Sequence, residues 1–325
     1  MTTCCLRQRC FRLPLSVTHP LHPVNGPNRH LRRFTLATFT VAIGLLSWGA
    51  FVTSIDAGLA VPDWPTSFDS YDPFNPWPEW WTITPVLAEH GHRLLGALVG
   101  LLTMILAFWT WRSDSRTWMR RLGFGALILV ILQGLLGGLR VVWVSLDLAV
   151  IHACVAQLFF ALLASMALFQ SESWARPMPM ARKVAVKHIL WVAPLAVYIQ
   201  IIFGALLRHP GTGIDTLLVA IHLGWAFVAT AMIAVMVARI RTTMPMGGLL
   251  GKLSGSVVVI LSLQVALGLF AYFVLLDETG RIQPSNIQVI ANTAHMVVGA
   301  LLFASTVVTA VLAARVRSLP VETTA

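Results

Sequence analysis

A Glu-His-Gly-His-Arg segment at positions 89–93 holds the side chains best suited to chemistry, where a polar stretch gives way to the apolar run of residues 94–109. Glu89 and His92 are three residues apart and therefore share one face of a helix. Ionisable side chains are costly to keep at the mouth of a membrane-spanning helix, so their presence indicates a functional site. The alternative is an ordinary helix start, in which Glu89 interacts with the helix dipole and pairs with Arg93.

Three further histidines, His152, His222 and His295, resemble His92 in lying near the start of a long apolar run. Two imidazoles at the same depth on facing helices can bind a flat haem from both sides of its iron. The four histidines are therefore predicted to be haem iron ligands that act as two pairs, one in each half of the chain. A zinc site would need four ligands, usually with thiolates among them. A proton-relay transporter with intramembrane histidines stays open.

The elements that must position these side chains are eight apolar runs, each of about 20 residues or more and long enough to cross a hydrocarbon core of about 30 Å. Of the 325 residues, 57% are hydrophobic and 11% charged, which predicts an all-α membrane protein with eight transmembrane helices. Continuous apolar runs exclude an outer-membrane β-barrel. The runs cover residues 34–53, 92–111, 122–142, 148–169, 189–207, 217–237, 254–275 and 289–314.

The distribution of charge predicts the orientation of the chain in the membrane. With the N-terminus in the cytoplasm, 19 of the 23 Lys and Arg residues fall on cytoplasmic segments, whereas 10 of the 13 acidic residues fall outside. This positive-inside pattern predicts cytoplasmic N- and C-termini, in a bacterial plasma membrane or, as the alternative, the mitochondrial inner membrane. The net charge of +10 could suggest that the chain binds nucleic acid, but this distribution of the charges argues against it. The outside cations are Arg93, Arg140, Arg208 and Arg281.

The four cysteines are not expected to form a disulfide framework. Cys4, Cys5 and Cys10 lie in residues 1–33, a basic segment broken by prolines, and Cys154 lies inside the fourth apolar run. Thiols in a cytosolic segment stay reduced. Residues 1–33 are predicted to be a disordered cytoplasmic tail, with a transit peptide as the alternative.

The chain repeats its own pattern. A Gly-Ala-x-x segment at 49–52 recurs at 204–207, and Gln133 with Gly137 recurs as Gln264 with Gly268. Four spans in each half give both halves the same orientation, with a symmetry axis along the membrane normal. The sequence therefore predicts two pseudo-symmetric four-helix bundles, residues 34–170 and 189–314, joined by a cytoplasmic linker, 171–188, and followed by a cytoplasmic tail, 315–325.

The two halves differ at the positions next to the histidines. Val219 stands at the position that matches Glu89, and Leu223 at the position that matches Arg93. Only the N-terminal half has a long Trp/Pro-rich segment, at residues 54–88, between its first two spans. This asymmetry fits one haem that reacts and one that relays electrons. Four polar side chains near these sites are given other roles: His90 and His209 are predicted to be solvent-side interfacial residues, and Gln133 and Gln264 to hydrogen-bond between helices.

Three motifs and the four histidines together resemble the haem A synthase family, over almost the whole chain from the first span to the eighth. The motifs are Gly-Leu-Ala-Val-Pro-Asp-Trp-Pro at 58–65, Glu-His-Gly-His-Arg at 89–93 and Gln-Gly-Leu-Leu-Gly-Gly at 133–138. Members convert haem O to haem A by oxidising a ring methyl to a formyl group. Many bacterial members carry a cysteine pair near the positions of Ala60 and Phe68. This chain has no cysteine there, which excludes a thiol-linked role for this segment.

The resemblance implies a role for each candidate residue. Substrate haem O would lie in the N-terminal half and haem b in the C-terminal half. Glu89 would act on the reacting methyl group as a proton acceptor or a stabiliser of positive charge. The axial ligands would be His92 and His152 for haem O, and His222 and His295 for haem b. The haem propionates would pair with Arg93, Arg140 and Arg208, whose alternative role is ordinary interfacial snorkelling.

Two other classes of protein remain as alternatives. A di-haem membrane electron-transfer cytochrome would share the four histidines but has no use for Glu89 and the segment above it. A proton-coupled transporter would keep the repeat and bind no haem. The predicted partners are the lipid bilayer, haem O, the enzyme that makes haem O and an electron donor that the sequence does not identify, with homo-oligomerisation left open.

Overall fold

The computed structural model describes residues 28–176, 188–208, 215–244, 246–277 and 284–316. Within these ranges the chain forms ten α-helices and no β-strand, which confirms the predicted all-α class. Two helices are single turns, α2 (Glu79–Thr82) and α6 (Glu172–Ala175). The long helices are α1 (Arg29–Ser54), α3 (Thr84–Ser113), α4 (Thr117–Val142), α5 (Leu146–Phe169), α7 (Ile189–Arg208), α8 (Thr216–Thr243), α9 (Gly248–Asp277) and α10 (Asn286–Ala313).

Eight helices of the described chain are long and apolar enough to cross a membrane, which confirms the predicted number of spans. Most extend several residues beyond the apolar runs, because a helix continues through polar residues until a cap stops it. The N-terminus of α1 is capped by Asn28, whose side chain accepts hydrogen bonds from the backbone N–H groups of His30 and Leu31. Asp215 caps α8 in the same way, and Ser145 and Ser285 cap α5 and α10.

The helix contacts fall into two sets. In the N-terminal set α1 packs on α3, α3 on α4, α4 on α5 and α5 on α1. In the C-terminal set α7 packs on α8, α8 on α9, α9 on α10 and α10 on α7. The sets meet where α10 packs against α1 and α5, and α5 against α7. Two statements about these sets stay predictions. One is that a symmetry axis relates them, and the other is that they are separate domains.

Small residues bring α10 close to the N-terminal set. Ala300 and Ala304 of α10 are buried in the same hydrophobic cluster as Leu106, Phe160 and Leu163 of the N-terminal helices. Small side chains allow close helix approach in a membrane, where packing rather than water drives association. The C-terminal set has its own buried cluster, so α10 belongs to the cores of both sets.

Several predictions concern residues outside those that the structure describes. These are Cys4, Cys5 and Cys10 with most of the N-terminal tail, residues 177–187 of the linker, His209, Arg281 and residues 317–325. Cys154 lies in the described part, where it is buried and forms no disulfide bond.

Candidate functional site

A cavity of about 800 Å³ lies inside the N-terminal set of helices. Its volume is near the upper end of the usual range for ligand pockets. The wall of this cavity brings together all the candidate residues that the sequence placed in this half: Glu89, His92, Arg93, Arg140 and His152. Met296 of α10 also lines the cavity, and its neighbour in the chain is His295. The helix that carries a histidine of the second pair therefore also forms part of the first site.

The α1–α3 loop (residues 55–83) is held over the cavity by the helix turn that follows it. The backbone N–H of Val61 donates to Oε2 of Glu89 at 2.9 Å. Arg93 donates through Nη2 to Oε1 of Glu89 at 2.8 Å and to the carbonyl oxygen of Val61 at 2.9 Å. Its Nη1 donates to the carbonyl oxygens of Asp63 at 2.6 Å and Thr66 at 3.1 Å.

Glu89 is therefore both a cavity residue and an anchor of this loop. Its side chain is 6% exposed, and each carboxylate oxygen already accepts one hydrogen bond. An ionised carboxylate offers about four lone-pair sites, so Glu89 retains acceptor capacity. The ion pair with Arg93 that the helix-start alternative predicts is present, and it coexists with a place in the cavity wall.

The prediction that His90 lies on the solvent side is wrong, because the side chain is buried and only 2% exposed. Nε2 donates to the carbonyl oxygen of Pro73 at 2.8 Å, and Nδ1 accepts from the hydroxyl of Ser67 at 3.2 Å. The ring of Trp80 packs on it with centroids 5.1 Å apart. The loop folds back over the helix and covers His90, a long-range contact that local hydrophobicity does not reveal.

Asp63 fixes the shape of the loop. Its carboxylate accepts hydrogen bonds from the Thr66 hydroxyl and from the backbone N–H groups of Phe68 at 2.7 Å and Asp69 at 2.9 Å. Phe68 and Asp69 have φ angles of 54° and 59°, a left-handed conformation that costs energy for residues other than glycine. Burial raises the pKa of the Asp63 carboxyl, but these hydrogen bonds outweigh burial and hold that pKa below its usual value of 3.8.

We expect Asp63→Asn to loosen the loop, because an amide removes the charge that favours these hydrogen bonds. Chymotrypsin should then cleave the loop at its aromatic residues several-fold faster than in the parent chain, with helix content unchanged. Since folding lowers the pKa, the stabilisation by Asp63 is complete above pH 3.8 and is lost as the pH falls through the folded-state value. Equal cleavage rates in the parent and the variant at neutral pH would contradict this role.

Each of the four histidines packs against a glycine of the preceding long helix. A Cβ added to any of these glycines would lie within 3.2 Å of the imidazole Cε1, closer than the ordinary contact distance. Only glycine therefore lets the Cε1 edge of each ring approach its neighbour helix this closely. The distance from the added Cβ to Cε1 is 2.8 Å for Gly49 and His92 and 3.2 Å for Gly137 and His152. It is 3.1 Å for Gly204 and His222 and 2.9 Å for Gly268 and His295.

The structure brings His222 and His295 together in the C-terminal set. Their ring centroids are 6.3 Å apart and their planes are inclined at 73°. Imidazole nitrogens bind transition metals at about 2 Å, so two imidazoles on opposite sides of one metal ion have ring centres about 6 Å apart. The pair therefore fits the spacing that two axial ligands of one iron require.

Gln200 is a residue that the sequence reasoning missed. Its Nε2 lies 3.2 Å from both ring nitrogens of His222 and donates to the carbonyl oxygen of that residue at 3.0 Å. Gln264 of α9 lies 3.3 Å from Nε2 of His295 of α10, which confirms its predicted hydrogen bond between helices. Gln133 lines the cavity with His152. The signal that could have revealed Gln200 is its position four residues before Gly204, because Gln264 stands four residues before Gly268.

The two remaining candidate arginines lie near the ends of their helices. Arg140 donates through Nη2 to the carbonyl oxygen of Gly58 at 2.9 Å. Arg208 donates through Nη2 to the hydroxyl of Ser54 at 2.9 Å, and this hydroxyl lies 3.2 Å from that of Thr293. Nε of each arginine is buried and has no hydrogen-bond partner in the described structure. A buried unpaired donor next to a ligand site suits an anionic group such as a propionate.

Comparison with known proteins identifies the family of the chain. The family model described as cytochrome oxidase assembly protein, COX15-CtaA, matches residues 32–217, more than half of the sequence. The chain belongs to the COX15-CtaA family. The match covers the N-terminal set from residue 32 onward and every candidate residue in it, whereas His222 and His295 lie beyond its end.

Relatives of this COX15-CtaA chain carry the name "Heme A synthase". The protein from Symbiobacterium thermophilum is 34% identical over 190 residues, which are 56% of this chain and 60% of the relative. The protein from Lysinibacillus sphaericus is 31% identical over 190 residues, 56% of this chain and 59% of the relative. That from Shouchella clausii is 30% identical over 188 residues, 56% and 60% of the two chains. The chain thus matches about three fifths of the length of these relatives, and the resemblance found in its motifs is confirmed for the family.

Proposed function

We propose that this chain is a haem A synthase, a membrane oxidoreductase that oxidises a ring methyl of haem O to a formyl group. The observation that carries the proposal is a cavity lined by Glu89, His92 and His152 in the same chain as a second pair of facing imidazoles. The names of the similar proteins support it. A di-haem cytochrome would use both histidine pairs but gives no role to a buried carboxylate in the cavity wall.

The residues present fit two haem groups. In the C-terminal set His222 and His295 would hold haem b, and their 6.3 Å ring separation matches bonds from both sides of one iron. In the N-terminal set His92 and His152 would hold haem O. Arg140 and Arg208, each with a buried unpaired Nε, are available to its propionates or to those of haem b, whereas both terminal nitrogens of Arg93 already donate to Glu89 and the α1–α3 loop. His92 and His152 line one cavity, as two ligands of one haem must. Bound haem supplies the redox-active iron that side chains lack.

Glu89 is the residue of this chain that we place next to the reacting methyl group. Converting a methyl to a formyl group adds one oxygen atom and removes two hydrogen atoms, with the oxidant supplied from outside this chain. A carboxylate fixed by Val61 and Arg93 can accept a proton there or stabilise developing positive charge without reorienting. The α1–α3 loop covers this side of the site, because Trp64, Pro65 and Ser67 line the same cavity.

Haem analysis of cells that produce the chain tests the function. The host should make haem O but lack haem A, and the extracted haems should be separated and identified by mass. We expect haem A to appear only when the chain is produced. If the purified chain carries haem b alone and no haem A forms, the cytochrome alternative holds, and a chain without any haem would favour a transporter.

We propose that the chain lies in a bacterial plasma membrane with both termini in the cytoplasm. The relatives are bacterial, and four arginines, Arg112, Arg116, Arg120 and Arg121, lie in the α3–α4 connection or on the helix ends beside it, whereas the α1–α3 loop carries five acidic residues and no basic one. A reporter active only outside the cytoplasm should be active when fused after Asp72 and silent when fused after Arg116. The reverse pattern would invert the orientation.

We propose that the two helix sets have different roles. Residues 34–170 would bind the substrate haem, and residues 189–314 would bind the resident haem b. Substrate and electrons must both reach the chain from elsewhere. The enzyme that makes haem O and a separate electron donor are therefore the partners that we propose.

A further inference from the structure

The smallest repeated unit in this structure is a pair of helices that occurs four times. The pairs are α1 with α3, α4 with α5, α7 with α8, and α9 with α10, and the members of each pair pack against each other. In every pair the first helix carries a glycine and the second carries the histidine that lies against it. The four histidines therefore occupy corresponding positions, and differences between the residues around them are informative.

The residue four positions before each glycine lies on the same helix face as the glycine. In three of the four pairs this residue is a glutamine: Gln133, Gln200 and Gln264. In the first pair it is Leu45, which lines the cavity together with His92.

The glutamines have the chemistry to support an imidazole ligand. An imidazole that binds a metal through one nitrogen usually donates the hydrogen of the other nitrogen to an acceptor, which orients the ring and makes it a stronger ligand. Nε2 of Gln200 already lies 3.2 Å from both ring nitrogens of His222, and Oε1 is buried without a partner. When haem is bound, a rotation of the amide would let Oε1 accept from the ring, in exchange for the hydrogen bond that Nε2 donates to the carbonyl oxygen of His222 at 3.0 Å.

Gln264 stands in the same relation to His295. Its Nε2 lies 3.3 Å from the ring, and its Oε1 is also buried without a partner in the described structure. Leu45 has no polar atom to offer to His92. Nδ1 of His92 and Nδ1 of His295 are both buried without a hydrogen-bond partner in the described structure, so the two pairs differ in the amide that lies beside Nε2 of His295. The imidazoles of the C-terminal set thus both have an amide at hand, whereas His92 has none.

We propose that the glutamines four positions before Gly204 and Gly268 are the positioning residues for His222 and His295, and that Leu45 leaves His92 more weakly held than either of them. This inference rests on the proposed function, in which the N-terminal site must take up haem O and release haem A. A substrate site requires exchange, and a resident cofactor requires retention. The sequence difference between Leu45 and Gln200 matches these two requirements.

Haem release tests the proposal without measuring turnover. The full-length chain in detergent is saturated with haem b as the probe, mixed with excess apomyoglobin, and followed by absorbance as myoglobin forms. The parent should release haem in a fast phase from the N-terminal site and a slow phase from the C-terminal site. Leu45→Gln should slow the fast phase by about 10–100-fold, and Gln200→Leu should accelerate the slow phase by a similar factor, which is the usual effect of an outer-shell partner on metal affinity.

Methionine variants separate the amide from the volume of the side chain. Leu45→Met should release haem like the parent, and Gln200→Met should behave like Gln200→Leu, because methionine fills a similar space without an amide. In each variant the phase of the unaltered half should keep its parent rate, which shows that the chain remains folded.

Four results would overturn the proposal. The positioning role would be refuted if haem left the parent in a single phase. It would also be refuted if haem left in two phases and neither Leu45→Gln nor Gln200→Leu changed their rates. Both results would leave the proposed function standing. An equal slowing by Leu45→Met and Leu45→Gln would show that volume rather than the amide matters. A parent chain that binds no haem at all would refute both the positioning role and the proposed function.

Discussion

Glu89→Gln is expected to lower haem A formation by about 100-fold or more, the usual cost of losing a positioned acid–base or electrostatic group. Glutamine fills the same volume, and the second histidine pair lies in the other set of helices. The haem b spectrum should therefore stay as in the parent chain. Haem O, or a partly oxidised form of it, should accumulate on the variant. The measurement is the ratio of haem A to haem O extracted from equal amounts of purified protein.

The contacts of Glu89 require a matched control. Its oxygens accept from Val61 and Arg93, so the glutamine amide would turn its NH₂ group toward one of these two donors and weaken the hold on the α1–α3 loop. Arg93→Gln also weakens this hold but leaves the carboxylate in place. If Glu89 acts on the reacting group, Arg93→Gln should lose clearly less activity than Glu89→Gln. Equal losses would identify Glu89 as a loop anchor only, even if the family assignment stands.

His222→Ala and His295→Ala are each expected to remove most of the haem b from the protein. The two rings lie 6.3 Å apart, and each variant would leave an iron with one axial ligand missing and a cavity in its place. Loss of an outer-shell partner alone costs about 10–100-fold in metal affinity, and loss of the ligand itself should cost more. The measurement is the haem b content per chain together with the low-spin absorption spectrum.

Replacements in the N-terminal set are the controls for this experiment. His92→Ala should keep the haem b of the C-terminal pair, because His92 lines the cavity of the N-terminal set. His90→Ala should also keep it, since His90 lies in the N-terminal set, where it hydrogen-bonds to Ser67 and Pro73 of the α1–α3 loop and packs on Trp80. A normal low-spin spectrum in both His222→Ala and His295→Ala would contradict the assignment of these ligands.

The two halves of the chain support the proposed function in different ways. The family match ends at residue 217, so both the family match and the cavity support the assignment of the N-terminal site. The ligands of the C-terminal site lie beyond this match, and their assignment depends on the repeat and on the facing rings. The haem b experiment therefore tests the part of the proposal that depends most on geometry.

The sequence by itself determined the membrane class, the eight spans and the pairing of the histidines. A run of about 20 apolar residues must be helical in a bilayer, because every backbone polar group has to find its partner within the helix. Equivalent positions in successive spans then place the histidines of one half at similar depth. His222 and His295 face each other as this argument predicts, and His92 and His152 share one cavity. These features follow from local hydrophobicity and spacing alone.

Only the tertiary structure decided how each candidate side chain is held. The α1–α3 loop folds back on α3, buries His90 and pairs Glu89 and Arg93 with its backbone. The loop is irregular, so no periodicity in the sequence predicts that course. The contact of Gln200 with His222 joins residues on different helices. Such contacts depend on the rotation of one helix against another, which the packing of glycines and histidines fixes and the apolar pattern of a single helix does not.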